Sequence, residues 1–474
     1  MPENSKPEHS KLDLASEFPP VPTADWEAAI VKDLKGADYE KKLVWRTEEG
    51  IKVKPYYRKE DLAGLEGQAD VAPGEYPFTR GKGTAWVDRD LSSIPAGAIR
   101  GDLLHEAGAT AIEELGFALA EGVDKLAAAV DAGQSVDQAA VAVQFVFGVG
   151  SNYFLEIAKF RAARLLWAQA VAAFGPASDK AALANVQAVT ALENKSVYDP
   201  WTNLLRSTTE AVSAVVGGCD ALTVQSFHYP ERLAHNVQLV IREEAHLDKV
   251  ADPAGGSYYI EALTHALAEA AWKLFQKIEA EGGFAAAKAA GSIDAALKAS
   301  HAAKIKAIGS RRRTMVGVNN YPNVGEHLPA GESLEPAGRL AEPFEQIRQR
   351  TERHAAKTGH RPKVLLLTRG DLKMRMARAQ FTRNYIGCAG FEIAEGAEYT
   401  NAGADLIVLC SSDPEYLDFA KDVCPKVKVP VVVAGNPKDQ IEALQQAGVV
   451  GFVHILANAV ETLTGLQNRL GMEA

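Results

Sequence analysis

The chain has 474 residues, of which 47% are hydrophobic and 24% charged, a balance ordinary for globular protein and long enough for two to four domains. Its formal net charge of −10 argues against nucleic-acid partners, whose phosphates demand lysine and arginine, and no run of about 18 apolar residues marks a membrane span. The four cysteines, Cys219, Cys388, Cys410 and Cys424, form no C-x-x-C pair and match no zinc spacing; with no signal-peptide core among the first residues, this predicts reduced thiols, no metal site and a cytoplasmic protein.

In chain order, residues 1 to about 22 are polar and proline-rich and predict a flexible arm. Ala24 to Lys35 predicts a helix that Gly36 ends. "KKLVWRTEEGIKVKPYYRKEDL" predicts a hairpin-like extended segment turning at Glu49-Gly50. Between 98 and 264, short apolar runs alternate with long helical stretches. Strands are predicted at Ala98 to Leu104, Val141 to Gly148, Val186 to Leu192 and Ala221 to Phe227, with a fifth around Thr84 to Asp88. Helices are predicted at Ala109 to Glu121, Tyr153 to Ala173 and Trp201 to Val216. Such alternation means a parallel sheet with helical crossovers. A (β/α) barrel needs eight strands and about 250 residues, so four clear strands predict half of one. Half a barrel cannot close on itself. The apolar faces of Val141 to Phe147 and Val186 to Leu192 are therefore expected to form a large exposed patch unless the 84–88 segment, the amino-terminal arm or another chain covers them.

Residues 262 to 310 are alanine-rich and helical. A linker with Pro329, Gly331, Pro336 and Gly338 follows, then a polar helix over Phe344 to Thr358. Apolar strands at Val364 to Leu367, Leu406 to Cys410, Val429 to Ala434 and Gly451 to Ile455 alternate with helices. That pattern suits a small doubly wound, flavodoxin-like sheet. Its opening stretch, "KVLLLTRGDLKMRMARAQF" (363–381), reads as strand, loop and helix start. Asp371 sits where open α/β sheets place ligands, yet the loop holds no phosphate-cradling glycines and no histidine or cysteine.

Several stretches together resemble the methylmalonyl-CoA mutase family: "FPPVPTADWEAAIVKDLKGADYEKKLVWRTEEGIKVKPYY", "EYPFTRG", "NYFLEIAKFRAARLLW", "YDPWTNLLRSTTEA", "ADPAGGSYYIEALT" and "VGVNNY". The resemblance implies a (β/α)₈ barrel that threads CoA along its axis, then a flavodoxin-like cobalamin-binding domain. It implies a radical rearrangement between methylmalonyl-CoA and succinyl-CoA, started by adenosylcobalamin. On that template the domains are residues 1–80, an amino-terminal arm, helix and extended segment; 81–325, a partial (β/α) TIM-type barrel corresponding to about the second half of a (β/α)₈ barrel; 326–361, a linker with a helix; and 362–474, a flavodoxin-like domain. Only about 20 residues join Gly81 to the fifth-strand motif.

The family's cobalamin loop is Asp-x-His-x-x-Gly, with the histidine as lower cobalt ligand and the aspartate holding its other nitrogen. Here Asp371 remains, Lys373 stands in the histidine place and Met376 in the glycine place. A lysine ammonium has no lone pair for a metal, and Met376 adds bulk where glycine admits close approach. A later Gly-Gly reads Gly435-Asn436. The histidine that polarises the substrate thioester carbonyl is replaced by Leu103 in "GDLLHEAG", with Asp102 in the tyrosine place; His105, two residues on, reads as a packing or hydrogen-bonding residue. Asn152 and Glu156 match positions that contact the adenosyl group, and "DPAGGSYY" reads as a structural turn. The resemblance thus implies a small, non-catalytic subunit of an adenosylcobalamin-dependent acyl-CoA mutase. It would form a heterodimer with a catalytic large subunit, bind no cofactor tightly itself, and meet acyl-CoA only through the complex. The alternatives are an active mutase on another acyl-CoA, or a CoA-thioester-binding or regulatory module.

Overall fold

The computed structural model describes residues 19–328, 333–399 and 403–473. Pro329 and Gly331 of the predicted linker, and most of the predicted arm, lie outside them. Two compact units divide at Tyr57 and Arg58.

In the first unit the helix Thr23–Asp33 is followed by a short helix, Tyr39–Lys42, whose Lys41 N–H is capped by Asp38 at 2.8 Å. The predicted hairpin is present. Strands β1 (Trp45–Arg46) and β2 (Lys52–Val53) pair antiparallel. The turn between them needs Gly50, whose φ of 82° suits only a residue without Cβ.

The second unit holds two parallel sheets. The first consists of β3 (Val87–Asp88), β4 (Ile99–Arg100), β5 (Gln144–Val149), β6 (Asn185–Thr190) and β7 (Ala221–Thr223), in the order β3-β7-β6-β5-β4. Alternation sorts its side chains between two faces. Phe145, Phe147, Val186, Ala188 and Leu222 share one face by register. There Phe145 meets Trp167 and Phe147 meets Phe160, ring centroids 5.1 and 6.3 Å apart, on the helix Tyr153–Ala173. This helix packs with Ala111–Asp131 and Tyr258–Ala280. A capping box starts Ala111–Asp131, with Thr110 and Glu113 bonding each other's backbone N–H.

On the opposite face the cover that the sheet requires comes from within the chain, from the residues that follow the 84–88 segment. Val146, Gln187, Val189 and Thr223 are all buried. The chain between β3 and β4 crosses over them as a strap: Thr223 Oγ1 donates to the Arg89 carbonyl at 2.6 Å, and Ile94 and Ala98 pack on Val146 and Val189. The strap turns at Leu91–Ser93 and again at Pro95–Ala98 as it crosses. The edge strands β3 and β4 are two residues long, the shortness by which native sheets blunt their edges.

Strand bounds also differ from the sequence reading. The strand predicted over Ala98 to Leu104 ends at Arg100, and Gly101–Glu106 is helical. A Cβ on Gly101 would lie 2.9 Å from the Val146 carbonyl oxygen, so glycine lets the chain turn tightly against β5. The helix Val136–Ala142, capped by Ser135, delays β5 to Gln144.

The second sheet contains β8 (Lys363–Thr368), β9 (Glu392–Gly396), β10 (Leu406–Cys410), β11 (Val431–Val433) and β12 (Val449–Phe452), in the order β12-β11-β10-β8-β9, all parallel. Counted within the sheet this is the 2-1-3-4-5 order of flavodoxin-like folds. Val364, Leu366 and Val408 face a core shared with the helices Glu342–Thr358, Leu372–Gly387 and Ala459–Arg469. Leu365, Leu367 and Leu409 face a second core with Tyr416–Val423 and Ile441–Gln446. The sequence reading missed β9, an edge strand with no buried residue and therefore no apolar run.

Candidate functional site

Parallel α/β sheets carry ligands beyond the carboxyl ends of their strands.

Beyond β5 and β6 lies a buried charge network. His105 sits against β5: a Cβ on Gly148 would lie 2.6 Å from its own Cβ. Its Nδ1 is 3.2 Å from Glu114 Oε2, and its Nε2 is 3.7 Å from Glu193 Oε2. Lys159 Nζ donates to Glu114 Oε2 and to the Gly148 carbonyl, both at 2.7 Å, and pairs with Glu156 at 2.6 Å. Glu114 Oε1 accepts from Gly148 N–H at 2.7 Å, and Glu156 Oε1 from Gly150 N–H at 3.1 Å. Lys304 reaches Glu193 at 2.8 Å, and Lys195 reaches Glu210 at 2.7 Å. Burial opposes the Lys159 charge, but Glu114 and Glu156 outweigh it and hold the ammonium above its ordinary range. Burial and the nearby Lys159 push the His105 imidazole down to about 4. Burial pushes the Glu106 carboxyl up to about 7, although it accepts from Leu192 N–H at 2.6 Å.

Of the residues singled out in sequence, Leu103 is exposed on the short helix Gly101–Glu106, pointing away from this network, while Asp102 pairs with Arg100 at 2.6 Å. Asn152 is half-buried at the start of the helix Tyr153–Ala173. Glu156 is buried with both carboxylate oxygens taken by Lys159 and Gly150. Glu114, Lys159, Glu193 and Lys304 were missed. No sequence signal marks them, because a charged side chain on a helix, or in a turn as with Glu193, reads the same whether it faces water or a group of another element.

Three of the quoted motifs meet in a second buried cluster. Arg80 of "EYPFTRG" pairs with Asp252 of "ADPAGGSYY" at 2.9 Å. Arg161 of "NYFLEIAKFRAARLLW" bonds Asp252 and, at 2.5 Å, Glu261. Glu261 in turn accepts from Gly256 N–H at 3.0 Å. Gly255 has no room for a Cβ, which would lie 2.5 Å from Asp252 Oδ2. These side chains tie the loops to the helices.

At the carboxyl end of β8, Asp371 caps the helix Leu372–Gly387 by accepting from Met374 N–H at 2.9 Å. Lys373 is exposed. The corner itself is occupied by Glu415, whose carboxylate lies directly over Gly370. It accepts from the Ser411 hydroxyl at 2.6 Å and the Ser412 hydroxyl at 2.5 Å. Those hydroxyls hold its carboxyl down at about 2. Arg378 pairs with Asp413 across the same corner at 2.9 Å. Beside it, Gly435 packs against Tyr416, whose hydroxyl donates to the Ala434 carbonyl at 2.5 Å. Among the described residues, no group of three histidine, cysteine, aspartate or glutamate side chains is placed to hold a metal ion, and no helix is long and apolar enough to cross a membrane.

An α/β protein with two parallel sheets, the second closed at its ligand-bearing corner by Glu415, is the class that fold and site define. Comparison with known proteins is more specific. A family profile described as methylmalonyl-CoA mutase matches residues 82–361. The methylmalonyl-CoA mutase small subunit of Porphyromonas gingivalis is 33% identical, covering 98% of this chain and 99% of its own length. That alignment runs over 619 positions, well beyond 474 residues, so the relative carries internal sequence that this chain lacks. The methylmalonyl-CoA mutase small subunit of Streptomyces virginiae is 35% identical over 78% of this chain and 63% of its own length. A methylmalonyl-CoA mutase of Rhizobium meliloti is 38% identical over 50% of this chain and 34% of its own length. The chain belongs to the methylmalonyl-CoA mutase family.

Proposed function

We propose that this chain is a non-catalytic small subunit that supports a catalytic large subunit in an adenosylcobalamin-dependent acyl-CoA mutase. The observation that carries the reading is how the carboxyl end of β8 is filled. A cobalt-binding corner needs a neutral nitrogen donor and space above the loop. Here Lys373 points to solvent, Asp371 is spent on a helix cap, and Glu415 fills the loop. The residues present do not fit a corrinoid with a protein-derived lower ligand. The first sheet supports the same reading. Its five parallel strands suit a partial barrel, about the second half of a (β/α)₈ barrel, over residues 81–325, with 362–474 as the flavodoxin-like domain. The strap lies where an axial substrate channel would run, and Glu156, the candidate adenosyl contact with Asn152, is consumed by Lys159. In this reading the partner supplies cofactor and acyl-CoA sites, and the pair works in the cytoplasm.

The test uses purified chain mixed with hydroxocobalamin, gel-filtered and scanned for corrinoid absorbance. No retained cofactor is expected, either for the chain as it stands or for Lys373→His, because Glu415 still fills the corner. Stoichiometric retention with nitrogen ligation from Lys373 would overturn the reading in favour of an active mutase. Co-expression with a mutase large subunit, followed by size-exclusion chromatography, should yield a one-to-one complex.

A further inference from the structure

A cleft of about 630 Å³ opens at the carboxyl ends of the neighbouring parallel strands β3 and β7, the end at which such sheets carry ligands. Small-molecule sites ordinarily have volumes of about 300–1,000 Å³. One wall is the start of the strap, from Asp88 to Ser92; the other is the loop after β7 together with the helix Glu231–Leu239. None of these residues belongs to the corner beyond β8 or to the buried charge networks.

The cleft contains a histidine set up as an acceptor. His235 Nδ1 lies 2.7 Å from Asp88 Oδ2. Asp88 is itself fixed: Gln238 Nε2 donates to its Oδ1 at 2.6 Å, and Gln238 Oε1 accepts from Trp86 Nε1 at 3.0 Å. Trp86 and Gln238 are buried, so this series of bonds is anchored in the core. An ionised carboxylate can only accept, so neutral His235 carries its proton on Nδ1 and its lone pair on Nε2. Nε2 has no partner among the described residues.

Two cations line the same cleft. Arg89 is half-buried and its backbone is pinned on both sides, the N–H donating to the Leu222 carbonyl at 3.0 Å and the carbonyl accepting from Thr223 Oγ1. Arg232 is exposed in the first turn of the helix Glu231–Leu239. Neither guanidinium has a hydrogen bond or ion pair among the described residues, although Asp90 and Glu231 also line the cleft. A planar guanidinium suits a carboxylate or phosphate held by two parallel bonds. Asp90, Glu231 and His235 Nε2 can only accept, so a bare anion leaves them unsatisfied, whereas an anion that also carries hydroxyl groups supplies them with donors.

We infer that this cleft binds a small hydroxylated anion, with Arg89 and Arg232 on its phosphate or carboxylate and His235 Nε2 accepting from a hydroxyl. The site is separate from the subunit role and stands or falls without it.

The test uses the full chain and ligand-observed NMR titration, with glycerol 3-phosphate and glycerate as probes and inorganic phosphate and glycerol as controls. At least one probe should bind, more tightly than either control, and the one that binds better tells a phosphate from a carboxylate. Arg89→Gln and Arg232→Gln should each weaken that binding at least about tenfold. Arg232 is exposed, so its variant decides the matter even if melting curves show that Arg89→Gln does not fold. His235→Leu should weaken the hydroxylated probe several-fold and leave inorganic phosphate unchanged, a split that the loss of a merely structural tie would not produce. Binding of neither probe at about 10 mM, or equal binding by the unmodified chain and every folded variant, would overturn the site. Inorganic phosphate binding as tightly as glycerol 3-phosphate would overturn the part assigned to His235 and the hydroxyl.

Discussion

Beyond β5 and β6, the charged groups are buried and neutralise one another; Lys159 alone holds Glu114, Glu156 and a backbone carbonyl. Beyond β8 the charges stay near the surface, the loop is closed by one carboxylate on two serine hydroxyls, and apolar side chains face solvent. Both are carboxyl ends of parallel sheets. The first is finished for internal stability, because every charge there loses its water and must find a partner in the fold. The second is finished by caps and turns that water can replace. The comparison can be broken or sharpened by substitutions at each end.

The largest effect is expected at Lys159. Lys159→Met keeps much of the side-chain volume but leaves Glu114 and Glu156 buried without a counter-ion. Removing one partner of a buried pair typically costs about 3–5 kcal/mol. Urea denaturation should show that loss. A change under about 1 kcal/mol would mean that water already reaches the network and that the two ends do not differ as described.

Glu106 sharpens the same point through pH. Its carboxyl is pushed up to about 7 from an ordinary value of 4.5, so the folded chain keeps a proton there that the unfolded chain has released. Stability contributed by this group falls as pH rises from about 4.5, and the penalty is complete above about 7. Glu106→Gln keeps the acceptor for Leu192 N–H and removes the penalty. The variant should be more stable than the unmodified chain by about 2 kcal/mol at pH 8, a figure discounted for partial exposure, and nearly equal at pH 4.5. His105 acts in the opposite direction. Held down at about 4 from 6.5, it removes stability as pH falls through that interval.

How far these ends were legible in the sequence follows from what each is made of. Tyr153–Ala173 and Leu406–Cys410 fall where the pattern placed them, because long amphipathic or fully apolar runs carry their period in the residues themselves. The replaced ligand positions Lys373 and Met376 were equally plain, since a single residue type decides them. The strap was not legible. Its cover over Val146 and Val189 depends on Ile94 and Ala98, two modest side chains in a segment with no period. Nor was the network around Lys159, because a charged residue on a helix does not declare whether it faces water or a carboxylate of another element. Glu415 was hidden for the same reason: its role comes from a loop more than forty residues after Gly370.

A smaller effect is expected at Gly370. Its φ is 80°, and Gly370→Ala both forces a Cβ into that conformation and pushes the Glu415 carboxylate aside. The cost should be about 1–2 kcal/mol by thermal unfolding. In a Glu415→Gln background the same substitution should cost less, because part of its penalty has already been incurred.

The smallest effect, and the one that separates the two ends most directly, is expected at Lys373. It is exposed, lacks an ion pair among the described residues and lies in the first turn of the helix Leu372–Gly387. There the helix presents uncompensated N–H dipoles, and a cation is disfavoured by about 0.3–1 kcal/mol at low salt. Lys373→Gln should therefore stabilise the isolated chain slightly, by a few tenths of a kcal/mol, with the gain fading as salt screens the dipole. Lys159→Met and Lys373→Gln each delete one lysine charge at the carboxyl end of a parallel sheet, yet they should move stability in opposite directions. A loss of stability at Lys373, measured as a lower melting temperature at low salt, would show that this lysine has a structural partner.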